Sequence, residues 1–226
     1  SIPPNHKPAN IEWPKPGRKV DPRTDFAVVS QSVLDRPGLL QAIRAREAAT
    51  PVVFVHGYNY NFQEALFRLA QLKTDSNFDG TPVLFSWPSL AALPAYVAVK
   101  EAATYSRDAL ADLLTDMVRA RKGAVDVFAH SMGGWLTVEA LRQLRLQGKG
   151  DVLDRLRVIM AAPDIDGDVF TAQLDVIGRM RIPITILVSP DDRALQVSSI
   201  LGAGTQRVGA LDARNPEVAE AAKRYA

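Results

Sequence analysis

The sequence predicts an α/β fold, a mostly parallel β-sheet with helices on both faces. Three observations lead to this prediction. Short apolar runs such as residues 51–57 alternate along the chain with longer segments of helical periodicity. These runs are apolar at nearly every position and rich in β-branched residues, which is typical of strands buried on both faces of a parallel sheet. Several of them end in small or polar residues, at the edge where such sheets bind their ligands.

The composition is that of an ordinary globular protein. The 226 residues suffice for one large domain, and 47% are hydrophobic and 23% charged. The net charge of +2 without a dense basic run predicts no nucleic-acid partner. Cysteine is absent, which excludes disulfides, thiol nucleophiles and thiolate metal ligands. No apolar run approaches the roughly 18 residues that a membrane helix needs, so no membrane span is predicted.

Residues 1–24 are predicted to form a proline-rich N-terminal arm, and residues 25–226 to form the domain. Six prolines and several charges occur in the first 23 residues without any helical or strand period. We expect Ile11 and Trp13 to lay this arm over the domain. The chain begins at Ser1 and not at methionine, so both a cytoplasmic location and export after removal of a signal peptide are compatible with it.

The first half of the domain is predicted from periodicity. Strands are expected at residues 26–30, 51–57 and 82–86, and helices at residues 39–49, 62–72 and 102–121. The last of these helices is predicted to be long and unbroken, because Leu110, Leu114 and Val118 recur on one side of it.

Residues 125–134 read V-D-V-F-A-H-S-M-G-G and predict a nucleophile elbow, a sharp turn between a strand and a helix with Ser131 at its apex. The small residues Ala129 and Gly133 allow the strand and the helix to approach closely. Such a turn exposes the serine hydroxyl above the sheet and directs the Met132 amide toward the oxyanion that forms on an attacked carbonyl. A serine before a helix is also a common N-cap, so the motif alone does not establish a nucleophile.

The second half continues the alternation. Strands are expected at residues 156–162 and 184–188, and helices at residues 132–146, 170–177, 195–201 and 215–226. The last helix begins at Asn215-Pro216-Glu217, which combines a capping residue, a proline at the first helical position and an early acid.

Five strand ends carry the residues that could perform chemistry, because the carboxyl ends of parallel strands meet at one edge of the sheet. They read H-G-Y-N from His56, F-S-W-P-S from Phe85, A-H-S-M-G from Ala129, P-D-I-D from Pro163 and S-P-D-D from Ser189. Together these strings resemble the α/β-hydrolase superfamily, and more narrowly a bacterial branch catalogued as a domain of unknown function. The resemblance covers about residues 26–209.

The resemblance implies the α/β-hydrolase fold and a carboxylesterase or lipase-like serine hydrolase. Ser131 would be the nucleophile that forms an acyl-enzyme, and the amides of Tyr58 and Met132 would form the oxyanion hole. Asp192 would be the acid that orients the catalytic histidine, with Asp191 and Asp164 as the alternatives. The expected substrate is a small-molecule ester, with no cofactor and no metal. The oligomeric state stays open.

The histidines depart from the family pattern, in which the histidine follows the acid after one more strand. The three histidines are His6, His56 and His130, and none of them follows Asp192. We expect His130 to pack in the elbow, His56 to hold the oxyanion loop, and His6 to reach the site only by an unusual path.

We therefore expect the last strand and the catalytic histidine in a segment beyond Ala226, which makes the domain incomplete at its C-terminus. The alternative is a non-catalytic binding or scaffold domain that uses the same pocket.

Asp164, Asp166 and Asp168 have the spacing of a calcium loop, but Gly167 and Val169 stand where the loop needs a ligand and a glycine. We expect these aspartates to serve a turn and a helix start.

Overall fold

The computed structural model describes residues 1–46, 48–89, 96–189 and 206–225. Its centre is a parallel sheet of five strands in the order β2-β1-β3-β4-β5. The strands are β1 Pro51–Val55, β2 Thr81–Phe85, β3 Val125–His130, β4 Leu156–Ala161 and β5 Thr185–Leu187. In register, Val55 is paired with Ala129 and His130 with Ala161, so the three central strands end at the same edge.

Eight α-helices lie in the described ranges: α1 Arg36–Arg44, α2 Phe62–Asp75, α3 Tyr96–Tyr105, α4 Arg107–Ala120, α5 Met132–Leu146, α6 Gly150–Leu153, α7 Gly167–Ile177 and α8 Pro216–Tyr225. Among them, no helix has both the length and the apolar character that crossing a membrane requires.

Strand order places the helices on both faces, because crossovers between parallel strands are right-handed. From β1 the chain moves outward to β2 through α2, then returns past β1 to β3 and continues through α5 and α7 to the opposite edge. Helix α2 therefore lies on one face, and α4, α5 and α7 lie on the other. The predicted fold class, a parallel sheet between helices, is confirmed.

The main core lies between the sheet and α5, whose first ten residues are all buried. Inward-facing strand residues such as Val53, Val127 and Val158 pack against it. Burial of this size is the dominant favourable term in folding and gives the carboxyl edge of the sheet a rigid support.

A second, smaller cluster joins the N-terminal arm to α2. Ile11, Phe26 and Phe67 are buried together, and the ring of Trp13 lies 5.4 Å from that of Phe67. The arm thus packs against α2.

Three predicted elements differ in the structure. Residues 26–30 form no strand: the amide of Phe26 bonds the Glu12 carbonyl of the arm, and Val28 and Val29 are exposed. The long helix is divided into α3 and α4 at Ser106, whose hydroxyl bonds the Ala102 carbonyl and competes with regular helical bonding.

The helix expected at residues 39–49 ends at Arg44. It begins earlier than expected, because Asp35 caps it and proline stands in its first turn. The helix predicted at residues 195–201 lies outside the described residues.

Candidate active site

Ser131 stands at the apex of the turn between β3 and α5 with φ 53° and ψ −123°. This conformation costs a residue with a side chain about 1–3 kcal/mol, and it persists only where the surroundings enforce it. Here the Ser131 amide donates to the Ala161 carbonyl at 3.0 Å, and the Ser131 carbonyl accepts from the Gly134 amide at 2.8 Å. The hydroxyl makes no capping bond to α5.

Gly133 shows how closely the helix approaches the sheet. A Cβ atom at this position would lie 2.2 Å from the Val55 carbonyl oxygen and 2.6 Å from that of His56. Any side chain would therefore collide with the backbone at the end of β1. The expectation that a small residue after the serine permits this approach is confirmed for Gly133.

Gly57 brings the end of β1 beside Ser131. A Cβ atom on Gly57 would lie 3.2 Å from the Ser131 Cβ and 3.1 Å from Nδ1 of His130. Tyr58 follows this glycine, and Met132 begins α5 from the other side of Ser131. The two residues predicted to supply oxyanion amides are thus the neighbours of the two backbone segments that meet at Ser131.

His56 holds the loop after β1. Its Nδ1 donates to the Gly57 carbonyl at 2.8 Å, its Nε2 accepts from the Trp87 amide at 3.4 Å, and its carbonyl accepts from the Trp87 indole at 2.9 Å. The two rings are stacked with centroids 5.4 Å apart. Burial lowers the pKa of His56, so the ring is neutral at pH 7. This is the loop-holding role expected from the sequence.

His130 packs against the same loop. Its ring meets Tyr60 edge-on with centroids 6.3 Å apart, and the Tyr60 carbonyl is held by the Ser89 hydroxyl at 2.6 Å. The side chain therefore belongs to the wall of the elbow, as the sequence predicts.

His6 lies at the other end of the molecule. Its Nδ1 is 2.7 Å from Oε2 of Glu12, and its Nε2 is 2.9 Å from Oδ1 of Asp75. Asp75 is the last residue of α2, a helix that starts beyond the carboxyl end of β1 and runs back toward the start of β2. His6 is thus a full sheet length from Ser131, and it cannot be the base in this arrangement.

Asp164 is the one predicted acid that lies in a described range. Its amide donates to the Ser131 carbonyl at 3.2 Å, and its buried carboxylate lies 3.4 Å from Nε of Arg207. Asp191 and Asp192 lie outside the described residues. Arg207 was not predicted from the sequence, because it belongs to no motif and meets Asp164 only through the fold.

Comparison with protein families decides the class of the molecule. Residues 35–226 match the sequence model of the family described as "Alpha/beta hydrolase of unknown function (DUF900)". The chain belongs to this family. The resemblance carried by the five strand ends is thereby confirmed, and the elbow can be treated as part of an α/β-hydrolase.

The chain was also compared with solved structures and with curated proteins. Among solved structures, a lipase B from Aspergillus fumigatus is similar with a TM-score of 0.39 and 19% sequence identity. The match covers 68% of this chain and 35% of the lipase chain, so this chain spans about a third of that protein's length. The comparison with curated proteins gave no match.

The aspartates with calcium-loop spacing have other partners in this chain. Asp166 caps α7 by accepting from the amides of Asp168 and Val169, both at 3.0 Å, while Asp164 faces Arg207. Within the described ranges, no group of three His, Asp or Glu side chains could hold a metal ion.

The arrangement places Ser131 at the carboxyl edge of the sheet, next to the two backbone segments that carry the amides predicted to bind a developing oxyanion. Charge that develops on an attacked carbonyl is best stabilised by fixed donors of this kind. The chemistry that fits it is nucleophilic attack by Ser131 on a carbonyl group.

Proposed function

We propose that this α/β-hydrolase is a serine hydrolase of the carboxylesterase or lipase-like type that cleaves carboxylic esters through an acyl-enzyme on Ser131. The observation that carries the proposal is the positive φ of 53° at Ser131 without a capping bond from its hydroxyl. A serine that served as an N-cap would have extended backbone and would bond the helix amides. The strained turn instead favours exposure of the hydroxyl.

In the proposed reaction Ser131 attacks the ester carbonyl as its hydroxyl proton passes to the histidine, and the amides of Met132 and Tyr58 bind the oxyanion. The alcohol leaves with a proton from the histidine, and water then releases the acid from the acyl-enzyme. Asp192 orients the histidine, with Asp191 and Asp164 as the alternatives. No metal or cofactor takes part.

We assign the catalytic histidine to a segment beyond Ala226. Two of the three histidines are held by other groups near the elbow, and His6 lies at the far end of the sheet. The edge strand β5 supports this assignment, because Leu187 is 50% exposed and Ile159 on the neighbouring strand is 38% exposed. A further strand and helix would cover these side chains.

The test is hydrolysis of short-chain p-nitrophenyl esters by the full-length protein. We expect Ser131→Ala to lower kcat by at least about 10³-fold without loss of stability, because the nucleophile is removed and the fold is kept. Ser76→Ala is the matched control, since Ser76 is exposed beyond the end of α2 and should leave the rate unchanged.

The alternative is a non-catalytic binding or scaffold domain that uses the same pocket. Equal rates for the wild type and Ser131→Ala would favour it and reject the hydrolase. Activity in the full-length protein but not in a form that ends at Ala226 would support the position of the histidine. A coding sequence that stops at Ala226 would contradict that position.

A further inference from the structure

A buried ion pair lies directly behind the elbow. The side chains of Asp164 and Arg207 are 2% and 4% exposed, and Nε of Arg207 lies 3.4 Å from Oδ1 of Asp164. The Asp164 amide in turn donates to the carbonyl of Ser131 at 3.2 Å. One backbone hydrogen bond therefore joins Asp164 of the ion pair directly to Ser131.

We propose that Arg207 and Asp164 are a positioning pair, which holds the elbow in register with the loop after β4 and the end of β5. This inference rests on the proposed function, because it assigns the pair a role in the geometry of that reaction. Neither side chain needs to touch the substrate.

The backbone around the pair joins three strand ends. The amides of Val208 and Gly209 donate to the carbonyls of Ile165 and Pro163 at 2.8 and 3.0 Å, and the amide of Ser189 donates to the Gly209 carbonyl at 2.8 Å. Ser189 follows β5, and the loop from Pro163 follows β4. Residues 207–209 therefore join the loop after β4 to the end of β5.

The loop after β4 begins with a strained residue, which needs contacts that hold its backbone in place. Ala162 has φ 45°, and its amide donates to the Leu187 carbonyl at 2.8 Å. A residue with a side chain keeps this conformation only where its surroundings enforce it. The ion pair formed two residues later supplies a buried contact to the same loop.

Stability by itself does not explain a buried ion pair at this position. Removing two charges from water costs about as much as their attraction returns, so apolar side chains of similar volume are often equally stable. What the ion pair adds is a preferred geometry. Misplacement of a catalytic group by about 1 Å can lower a rate by about 10²-fold. Because Asp164 is bonded to the Ser131 carbonyl, loss of the ion pair should lower the rate of hydrolysis.

The experiment compares the full-length wild type with Arg207→Lys and with the double variant Asp164→Leu/Arg207→Met, by kcat, KM and Tm on p-nitrophenyl acetate. We expect the double variant to keep a Tm close to that of the wild type while kcat falls about 10²-fold and KM changes less than about 2-fold. Arg207→Lys retains the charge and should stay within about 5-fold of the wild-type kcat.

The control is a partly buried pair, Arg107 and Glu139, which joins α4 to α5 with 3.4 Å between Nη1 and Oε2. The double variant Arg107→Met/Glu139→Leu removes the same charges away from the strand ends, so its kcat should not change.

Several results would overturn the inference. The first is wild-type kcat in the double variant at Asp164 and Arg207, and the second is failure of that variant to fold. The third is an equal decrease in kcat when the control pair is replaced. Loss of activity in Asp164→Asn, together with full activity in both Asp191→Asn and Asp192→Asn, would make Asp164 the acid itself and also reject a positioning role. The proposed function fails separately, if Ser131→Ala is as active as the wild type.

Discussion

The elbow around Ser131 and the clasp of the N-terminal arm lie at opposite ends of the same sheet, and different forces hold them. We define the arm clasp as His6, Glu12 and Asp75. The elbow is held by close backbone contact, since Gly133 leaves no room for a Cβ atom beside Val55. The clasp is held by two charged hydrogen bonds from one imidazole.

This difference separates sensitivity to shape from sensitivity to pH. Backbone contacts do not titrate, so the elbow should tolerate changes in pH and fail when volume is added. The clasp should tolerate changes in volume and respond to pH. The close turn at Gly133 is thus supported by packing, while the attachment of the arm depends on ionisation.

The largest effect is expected from Gly133→Ala, which tests the elbow by volume. The new methyl group would meet two carbonyl oxygens, so α5 or the end of β1 must shift. We expect loss of detectable ester hydrolysis and a decrease of about 3 kcal/mol in the free energy of unfolding, measured by urea denaturation. Gly150→Ala is the control, because only the end of the flexible Arg145 side chain lies near that Cβ position. An active Gly133→Ala protein would show that the close approach is not required.

A smaller effect is expected from His56→Ala, which tests whether this ring supports the elbow or acts as the base. Loss of the contacts with Gly57 and Trp87 should destabilise the protein by about 2 kcal/mol and lower kcat by about 10-fold. The pH dependence of the remaining activity above pH 7 should keep its shape, because burial lowers the pKa of His56 and the ring is already neutral there. A loss of about 10⁴-fold with a changed pH profile would identify His56 as the base.

The smallest effect is expected from His6→Ala, which tests the clasp. The hydrogen bond with Glu12 raises the pKa of His6 above 6.5 against the opposing effect of burial, and Asp75 adds to the rise. The stability that the ring contributes is therefore complete below pH 6.5 and is lost as the pH rises through the elevated value. We expect a decrease in Tm of about 2–4 °C near pH 6, which shrinks toward pH 9, and no change in kcat.

The carboxylates set the lower limit of this window. Burial alone would raise the pKa of Glu12, but hydrogen bonds from His6, Asn10 and the Lys7 amide outweigh it and lower the pKa to about 2. The contribution of Glu12 is thus complete above its ordinary pKa and is lost as the pH falls toward 2. Thermal unfolding of the wild type and of His6→Ala from pH 3 to pH 9 measures the pH range over which the clasp stabilises the protein. A difference in Tm that grows above pH 7 would contradict it.

Local patterns predicted the elements that depend on neighbours in the chain. The apolar runs of β1, β3 and β4 predicted strands, and the small residue at Gly133 predicted a close turn. Residues 26–30 misled the prediction, because a short β-branched run has no strand character until a neighbouring strand pairs with it. The helix break at Ser106 was also not predicted, since the periodicity of the apolar residues continues across it.

The sequence by itself determined the parallel α/β sheet, the elbow at Ser131 and the family, because buried strands and a strained turn leave their signature in consecutive residues. Only the tertiary structure decided the partners of the titratable groups. His56 meets Trp87, His6 meets Asp75, and Asp164 meets Arg207 across separations in sequence that no local pattern records. Such pairs depend on which strand ends and helix ends the fold brings together.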